Sequence, residues 1–179
     1  MIVKNFKKKI IFWQQFVSPH IAYLIDQIAS KNLHVKLLAK KFHNINRRKL
    51  GWKKFKLNYV RPIILKDINS KPVDKFFTDG SIHLCEGLFF NGFVQKVQTK
   101  LRKNNLNQWI LMEKINDSGF LGILKKLLYF FLFFIWKKKI NGILAIGNGA
   151  CEWYARRGFD KDKIFPFAYF LNDTILKTK

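Results

Sequence analysis

Apolar and polar positions along the chain switch repeatedly between a period of two and a period near 3.6. Ile10 to Phe16 reads as a buried strand. Ser18-Pro19 then marks a helix start, a hydroxyl residue followed by proline at the first helical position. Ile21, Leu24, Ile25 and Ile28 fall at i, i+3, i+4 and i+7, which makes one apolar helical stripe. Leu33, Val35 and Leu37 alternate with His34 and Lys36, the mark of a strand. Further along, Phe55–Val60, Ile82–Cys85, Trp109–Met112, Gly142–Ile146 and Ile164–Phe170 read as strands. Helical patterns stand between them: one through Phe93, Val94, Val97 and Leu101, one over residues 120–138, and one from Ala150 to Arg157 that stops at Gly158. Strands alternating with helices at this spacing predict an α/β fold: one doubly wound, mostly parallel, Rossmann-like sheet with helices on both faces. Residues 1–179 are expected to form a single domain, with no internal repeat.

Two stretches break the alternation. Lys40 to Lys54, which contains Arg47-Arg48-Lys49-Leu50-Gly51-Trp52, reads as a basic loop, and Ile68 to Gly80 as irregular chain. Two others raise the question of a membrane. Lys4 and Lys7 to Lys9 precede Ile10-Ile11-Phe12-Trp13 in the manner of a signal peptide. Gln14-Gln15 interrupts that apolar run and no small-residue cleavage site follows, so a buried first strand is expected. Leu127 to Trp136 is apolar throughout, with Lys125-Lys126 before it and Lys137-Lys138-Lys139 after it. The run offers about half of the roughly 20 apolar residues that a spanning helix needs. It reads instead as a buried core helix, or as one lying in the headgroup plane with those five lysines on anionic lipid.

Composition narrows the partners. The chain carries 34 Lys+Arg against 11 Asp+Glu, a net charge of +23, while its apolar fraction of 49% is that of a globular protein. A disordered basic tail is thereby excluded, and a nucleic acid, an anionic membrane face or a phosphorylated substrate remain as partners. The basic residues are scattered through nearly every segment and no nucleic-acid motif appears, which argues against nucleic acid. Two cysteines cannot build a disulfide scaffold; Cys85 and Cys151 read as small buried residues of a reduced, cytosolic protein. His20, His34, His43 and His83 have no metal-ligand spacing, and no metal is expected.

In a doubly wound sheet, ligands bind beyond the carboxyl ends of the strands, which selects four places. Ser18 and His20 follow the first strand; Ser18 reads as a helix cap or a ligand contact, and His20 as a solvated residue or a group touching a phosphate or hydroxyl. Glu86, beside Gly87, reads as a general base or as a solvated loop carboxylate. Glu113 ends a central apolar strand, where it fits a sugar or nucleotide hydroxyl or a partner for the next helix. Gly147-Asn148-Gly149 is part of a phosphate-loop pattern, or a plain tight turn.

These segments, taken in order, resemble the N-terminal half of a family 4 glycosyltransferase of the two-domain GT-B architecture, in a bacterial surface-polysaccharide branch. The resemblance runs over residues 10 to 173. Its sharpest part is Ile143 to Ala150, continuing through Glu152-Trp153-Tyr154, Gly158-Phe159 and Lys163 to Phe170. Ser18-Pro19-His20, the Arg47 to Trp52 segment and Met112-Glu113 are also similar. The resemblance implies a cytoplasmic protein peripheral to the inner face of the plasma membrane. It would hold a lipid-linked or glycan acceptor for transfer of a sugar from a nucleotide sugar, without metal or covalent cofactor. Carried over residue by residue, it places Glu86 and His20 at the reaction centre and Ser18, Gly87, Glu113 and Gly147 on the substrate rim. The family's donor domain, with its Glu-x7-Glu motif, has no counterpart here, and residues 171–179 match the start of the crossover. The expectation is a truncated or split enzyme, or one domain working with a separate donor-binding partner, which transfers no sugar alone. The competing expectation is a non-catalytic basic module for anionic membrane or nucleic acid.

Overall fold

The computed structural model describes residues 8–42, 56–78, 80–88 and 92–170. Seven parallel strands form one sheet: β1 (Ile10–Phe16), β2 (Val35–Lys41), β3 (Ile63–Ile64), β4 (Ile82–Glu86), β5 (Gln108–Glu113), β6 (Gly142–Ile146) and β7 (Ile164–Phe167). Between them run α1 (Pro19–Ser30), the single turn α2 (Lys71–Asp74), α3 (Gly92–Lys103), α4 (Gly119–Trp136) and the short α5 (Ala150–Ala155). The strand order is β3-β2-β1-β4-β5-β6-β7. The chain thus winds outward from β1 in one direction and, from β4 on, in the other. The expected doubly wound fold is present, and its sheet is wholly parallel.

Strand periodicity divides the core in two. Phe12, Leu37, Ala39, Leu84, Leu111 and Ile146 meet Ile21, Ala22 and Ile25 of α1 on one face. Ile11, Trp13, Leu38, Cys85, Ile110 and Ile143 meet Val94, Val97 and Leu101 of α3, Tyr129 and Phe133 of α4, and Trp153 and Tyr154 of α5 on the other. Burial on both faces is why these strands read as near-continuous apolar runs. Both cysteines are free thiols; burial raises that of Cys85, whereas Cys151 is only half-buried.

Four local expectations change. Within the Phe55–Val60 stretch, the described residues 56–60 form no strand; the third strand is Ile63–Ile64, beyond Arg61-Pro62. The cause is Asp26 of α1, whose carboxylate accepts the backbone N–H groups of Asn58, Tyr59 and Val60 at 2.9, 2.7 and 2.9 Å and so removes them from any ladder. The irregular 68–80 stretch contains α2, and the last strand ends at Phe167 rather than Phe170. The Arg47–Trp52 segment, His43, Lys4, Lys7 and residues 171–179 lie outside the described residues.

The fourth change concerns the apolar run. The helix begins at Gly119 and spans 18 residues, roughly 27 Å at 1.5 Å per residue. Gly119–Lys139 is long and apolar enough to cross a membrane by length and composition. Only one stripe of it (Gly122, Tyr129, Leu132 and Phe133) is buried against the domain. Away from that stripe Phe120, Leu121, Ile123, Leu124, Leu127, Phe130, Phe131, Phe134 and Ile135 are 48–76% exposed. The helix is therefore a core element by one face only.

His83 lies fully buried beside the Trp13 and Phe77 rings, each with its centroid 6.2 Å away, and those two rings stack on one another at 5.1 Å. It faces packing rather than a ligand, as its alternation in β4 predicts. The Trp13 indole N–H donates to His83 Nδ1 at 3.1 Å. Burial, and secondarily the charge of Lys9, lowers the His83 pKa from 6.5 to about 4. The unfolded chain then binds this proton at a higher pH than the folded one. Stability is accordingly full above pH 6.5 and falls as the pH drops towards 4, by about 3 kcal/mol from this group. Urea unfolding midpoints of the wild type and His83→Gln, which keeps an acceptor for Trp13, measure the effect. The variant is expected to lose much of the decline between pH 6.5 and 4; an unchanged decline would refute the assignment.

Candidate functional site

The winding reverses between β1 and β4, so the connections leaving these neighbours diverge and leave a crevice above their carboxyl ends. Its volume is about 360 Å³. Ser18, Glu86, Gly87 and Glu113, all expected at strand ends, line it together. Each arrives by the same rule: a polar residue placed directly after the apolar stretch of a parallel strand projects at the rim.

Glu86 ends β4, and its Oε2 accepts the backbone N–H of Gln15 from β1 at 3.0 Å. The two central strands thereby aim one carboxylate across the reversal point. Gly87 follows at φ +72°, a conformation that side chains resist, and its N–H and C=O are taken by Leu111 O (2.9 Å) and Gln98 Nε2 (2.6 Å). Ser18 caps α1 with its carbonyl, which accepts from Ile21 N and Ala22 N at 3.2 and 2.8 Å. Its hydroxyl makes no capping bond, so the side chain is a crevice group rather than a cap. On the far side, Glu113 accepts a hydrogen bond from the Tyr169 hydroxyl.

His20 and Gly147 are placed differently. His20 does not line the crevice; its ring packs against Tyr169 with centroids 5.0 Å apart, and its carbonyl accepts from Phe170 N at 3.2 Å. It supports the chain segment that closes one side of the site. Gly147 sits exposed at the end of β6, beyond Ile146, which does line the crevice. Gly147 and Gly149 adopt φ +93° and +68°, so the glycine triplet is a tight turn into the six-residue α5.

Four polar lining residues are not among the sequence candidates: Gln14, Lys114, Tyr129 and Tyr169. Gln14 is the most telling. It is buried within β1; its Oε1 accepts from Ser18 N at 3.4 Å, while its Nε2 has no partner among the described residues. A glutamine inside an otherwise apolar central strand is the signal that could have found it. Lys114 directly follows Glu113 at the end of β5, whereas Tyr129 and Tyr169 reach the crevice from distant parts of the chain. Burial raises the Tyr129 phenol to about 12, which keeps it a neutral donor.

The lysines flanking the apolar run do not form one free set. Lys125 donates to Asn116 O at 3.3 Å, Lys126 stands 3.9 Å from Asp117, and Lys139 bonds Asn105. Lys137 lies 6.0 Å from the Phe134 ring centre, and Lys138 is exposed. Among the described residues no group of three His, Cys, Asp or Glu side chains is arranged to hold a metal ion.

The crevice thus offers one amide donor, the hydroxyls of Ser18, Tyr129 and Tyr169, two carboxylate acceptors, one ammonium and an apolar wall that includes Met112 and Ile115. Such a mixture suits a polyhydroxylated ligand, whose hydroxyls donate and accept alternately. No family model and no curated protein matches the chain.

Proposed function

We propose that this domain is the acceptor-binding half of a membrane-attached glycosyltransferase. The observation that carries the reading is the double role of α4. Its Tyr129 forms part of the crevice wall, while the rest of its surface presents nine large apolar side chains to the outside. A polyol site and a lipid-facing surface on one helix fit an acceptor sugar carried on a lipid. In this reading Glu86 is the carboxylate that takes the acceptor hydroxyl proton, since it sits at the reversal point and is held by Gln15 N. Ser18, Gln14 and Glu113 orient the sugar, with Tyr169 fixing the Glu113 carboxylate. A nucleotide sugar would be the co-substrate, held by a separate donor-binding domain. The protein would then work at the cytoplasmic face of an anionic membrane.

The test is binding of a polyprenyl diphosphate-linked sugar, compared with the same lipid lacking the sugar, both in phosphatidylcholine vesicles. The sugar is expected to strengthen binding. Glu86→Gln with Glu113→Gln is expected to remove that increment, about 10-fold, while leaving the thermal midpoint in place. Equal affinity for the two lipids would overturn the reading and favour a non-catalytic module for anionic membrane, which the face of α4 alone would also fit.

A further inference from the structure

A second concavity, of about 650 Å³, lies between the N-terminal half of α4 and α5. Lys114, Lys126, Arg156 and Arg157 converge on it, against the carboxylates of Asp117 and Glu152. Its floor is built. Arg157 is buried, its guanidinium 3.5 Å from the Trp153 ring centre. Arg157 Nη1 donates to Trp153 O at 2.8 Å and Nη2 to Asp117. Asp117 also accepts the Trp153 indole N–H at 2.8 Å. Burial works against the Asp117 charge, but the Trp153 bond and the charges of Lys126 and Arg157 outweigh it and hold its pKa below the usual carboxylate value. Gly122 allows this arrangement, since a Cβ there would lie 1.9 Å from the Asp117 carbonyl oxygen.

With Asp117 committed to Arg157 and Trp153, the outer cations are left facing the concavity. Lys126 and Arg156 have side chains 49% and 78% exposed, and their carboxylate contacts are long, 3.9 Å to Asp117 and 3.5 Å to Glu152. Exposed pairs of that length contribute little, so a ligand with concentrated negative charge displaces them at small cost. Two adjacencies identify the ligand. Lys114 lines both this basin and the crevice above β1 and β4, and the basin's outer lip is made by Leu127 and Phe130 of the exposed apolar face.

We infer that the basin is a phosphate subsite, taking the phosphate or diphosphate of an amphiphile whose apolar chain lies along α4 and whose head points past Lys114 into the crevice. This deepens the acceptor-binding reading, and in its lipid part rests on it. Lysine and arginine supply the charge-assisted donors that phosphate oxygens require.

The test uses the full chain and two double variants of equal charge: Lys126→Gln with Arg156→Gln in the basin, and Lys138→Gln with Lys139→Gln at the far end of α4. Inorganic pyrophosphate is titrated while the Trp153 indole N–H is followed by NMR. It is expected to shift that resonance in the wild type and the far-end variant, and to bind the basin variant about 10-fold or more weakly. In phosphatidylcholine vesicles, the basin variant should lose the preference for a polyprenyl diphosphate over phosphatidylserine, while the far-end variant weakens both alike. A Trp153 resonance that pyrophosphate leaves unmoved, or equal losses in the two variants, would overturn the basin as a phosphate subsite. A pyrophosphate response in a protein blind to the acceptor sugar would instead refute the acceptor reading and leave the subsite standing, its phosphate then supplied by a soluble molecule or a simple lipid headgroup.

Discussion

Replacing Phe131 and Phe134 together by glutamate is expected to abolish co-sedimentation with anionic vesicles, lowering the apparent affinity by about 100-fold or more. Both rings lie on the outer face of α4, 58% and 68% exposed, and neither belongs to the buried core. The nine exposed apolar side chains of α4 present on the order of 1,000 Å², taking the usual area of such groups, where the largest patch on a typical monomer is about 300–600 Å². Water is a poor solvent for that surface. In the proposed function an anionic bilayer would cover it and at the same time meet lysines at the two ends of the helix. Each phenylalanine buried in the interface contributes roughly 2 kcal/mol, and each glutamate adds repulsion from anionic lipid, which gives the expected loss. Neutral vesicles should bind the wild type less well, with the difference shrinking as salt is raised. Undiminished pelleting of the double variant would show that α4 does not face the bilayer.

The largest expected effect on folding is at Asp26. Asp26→Ala should cost about 4 kcal/mol of stability, because it strands the three amides that this buried carboxylate holds. Val60 is itself buried, so its N–H cannot turn to water, whereas Asn58 and Tyr59 are exposed and recover part of their loss by hydration. Against a typical total of about 5–15 kcal/mol the loss is severe, and for a chain of this size it lowers the thermal midpoint by about 10 °C. Asp26→Asn keeps one acceptor oxygen and should fall between the two. Denaturation midpoints compared at constant slope provide the measurement. A midpoint for Asp26→Ala within experimental error of the wild type would show that the 58–60 segment is held by other means.

Asp26 also explains where pattern reading failed. Lys56 to Val60 carries a plausible strand composition, but a carboxylate from α1 claims its amides, and a side chain 34 residues away leaves no periodic trace. The run around residues 127–136 is similar. A helix apolar on all sides has no preferred face, so its composition fits burial, lipid contact or both. Packing of Tyr129 and Phe133 against Trp153, Tyr154 and Phe159 decides which stripe turns inward, and the remainder is left outside.

The candidate site divides along the same line. Ser18, Glu86, Gly87 and Glu113 were legible because each follows directly on an apolar strand, and a parallel sheet sends every such end to one rim. Gln14 was visible only as a polar interruption and Lys114 only as the neighbour of Glu113, while Tyr129 and Tyr169 were not visible at all as site residues. The basin was likewise hidden: Asp117, Trp153 and Arg157 become one assembly only when α4 and α5 pack side by side.

By itself, then, the amino-acid order determined the period of each segment, and with it the alternating elements, the parallel sheet and the rim on which polar strand ends gather. These are local consequences of hydrophobic spacing, turn chemistry and helix signals. Only the tertiary structure decided which strands are neighbours at the reversal point, which face of α4 is left to the outside, and which distant side chains share the crevice and the basin. Those outcomes depend on contacts between residues far apart in the chain, where satisfying a buried carboxylate or filling a core overrides local pattern.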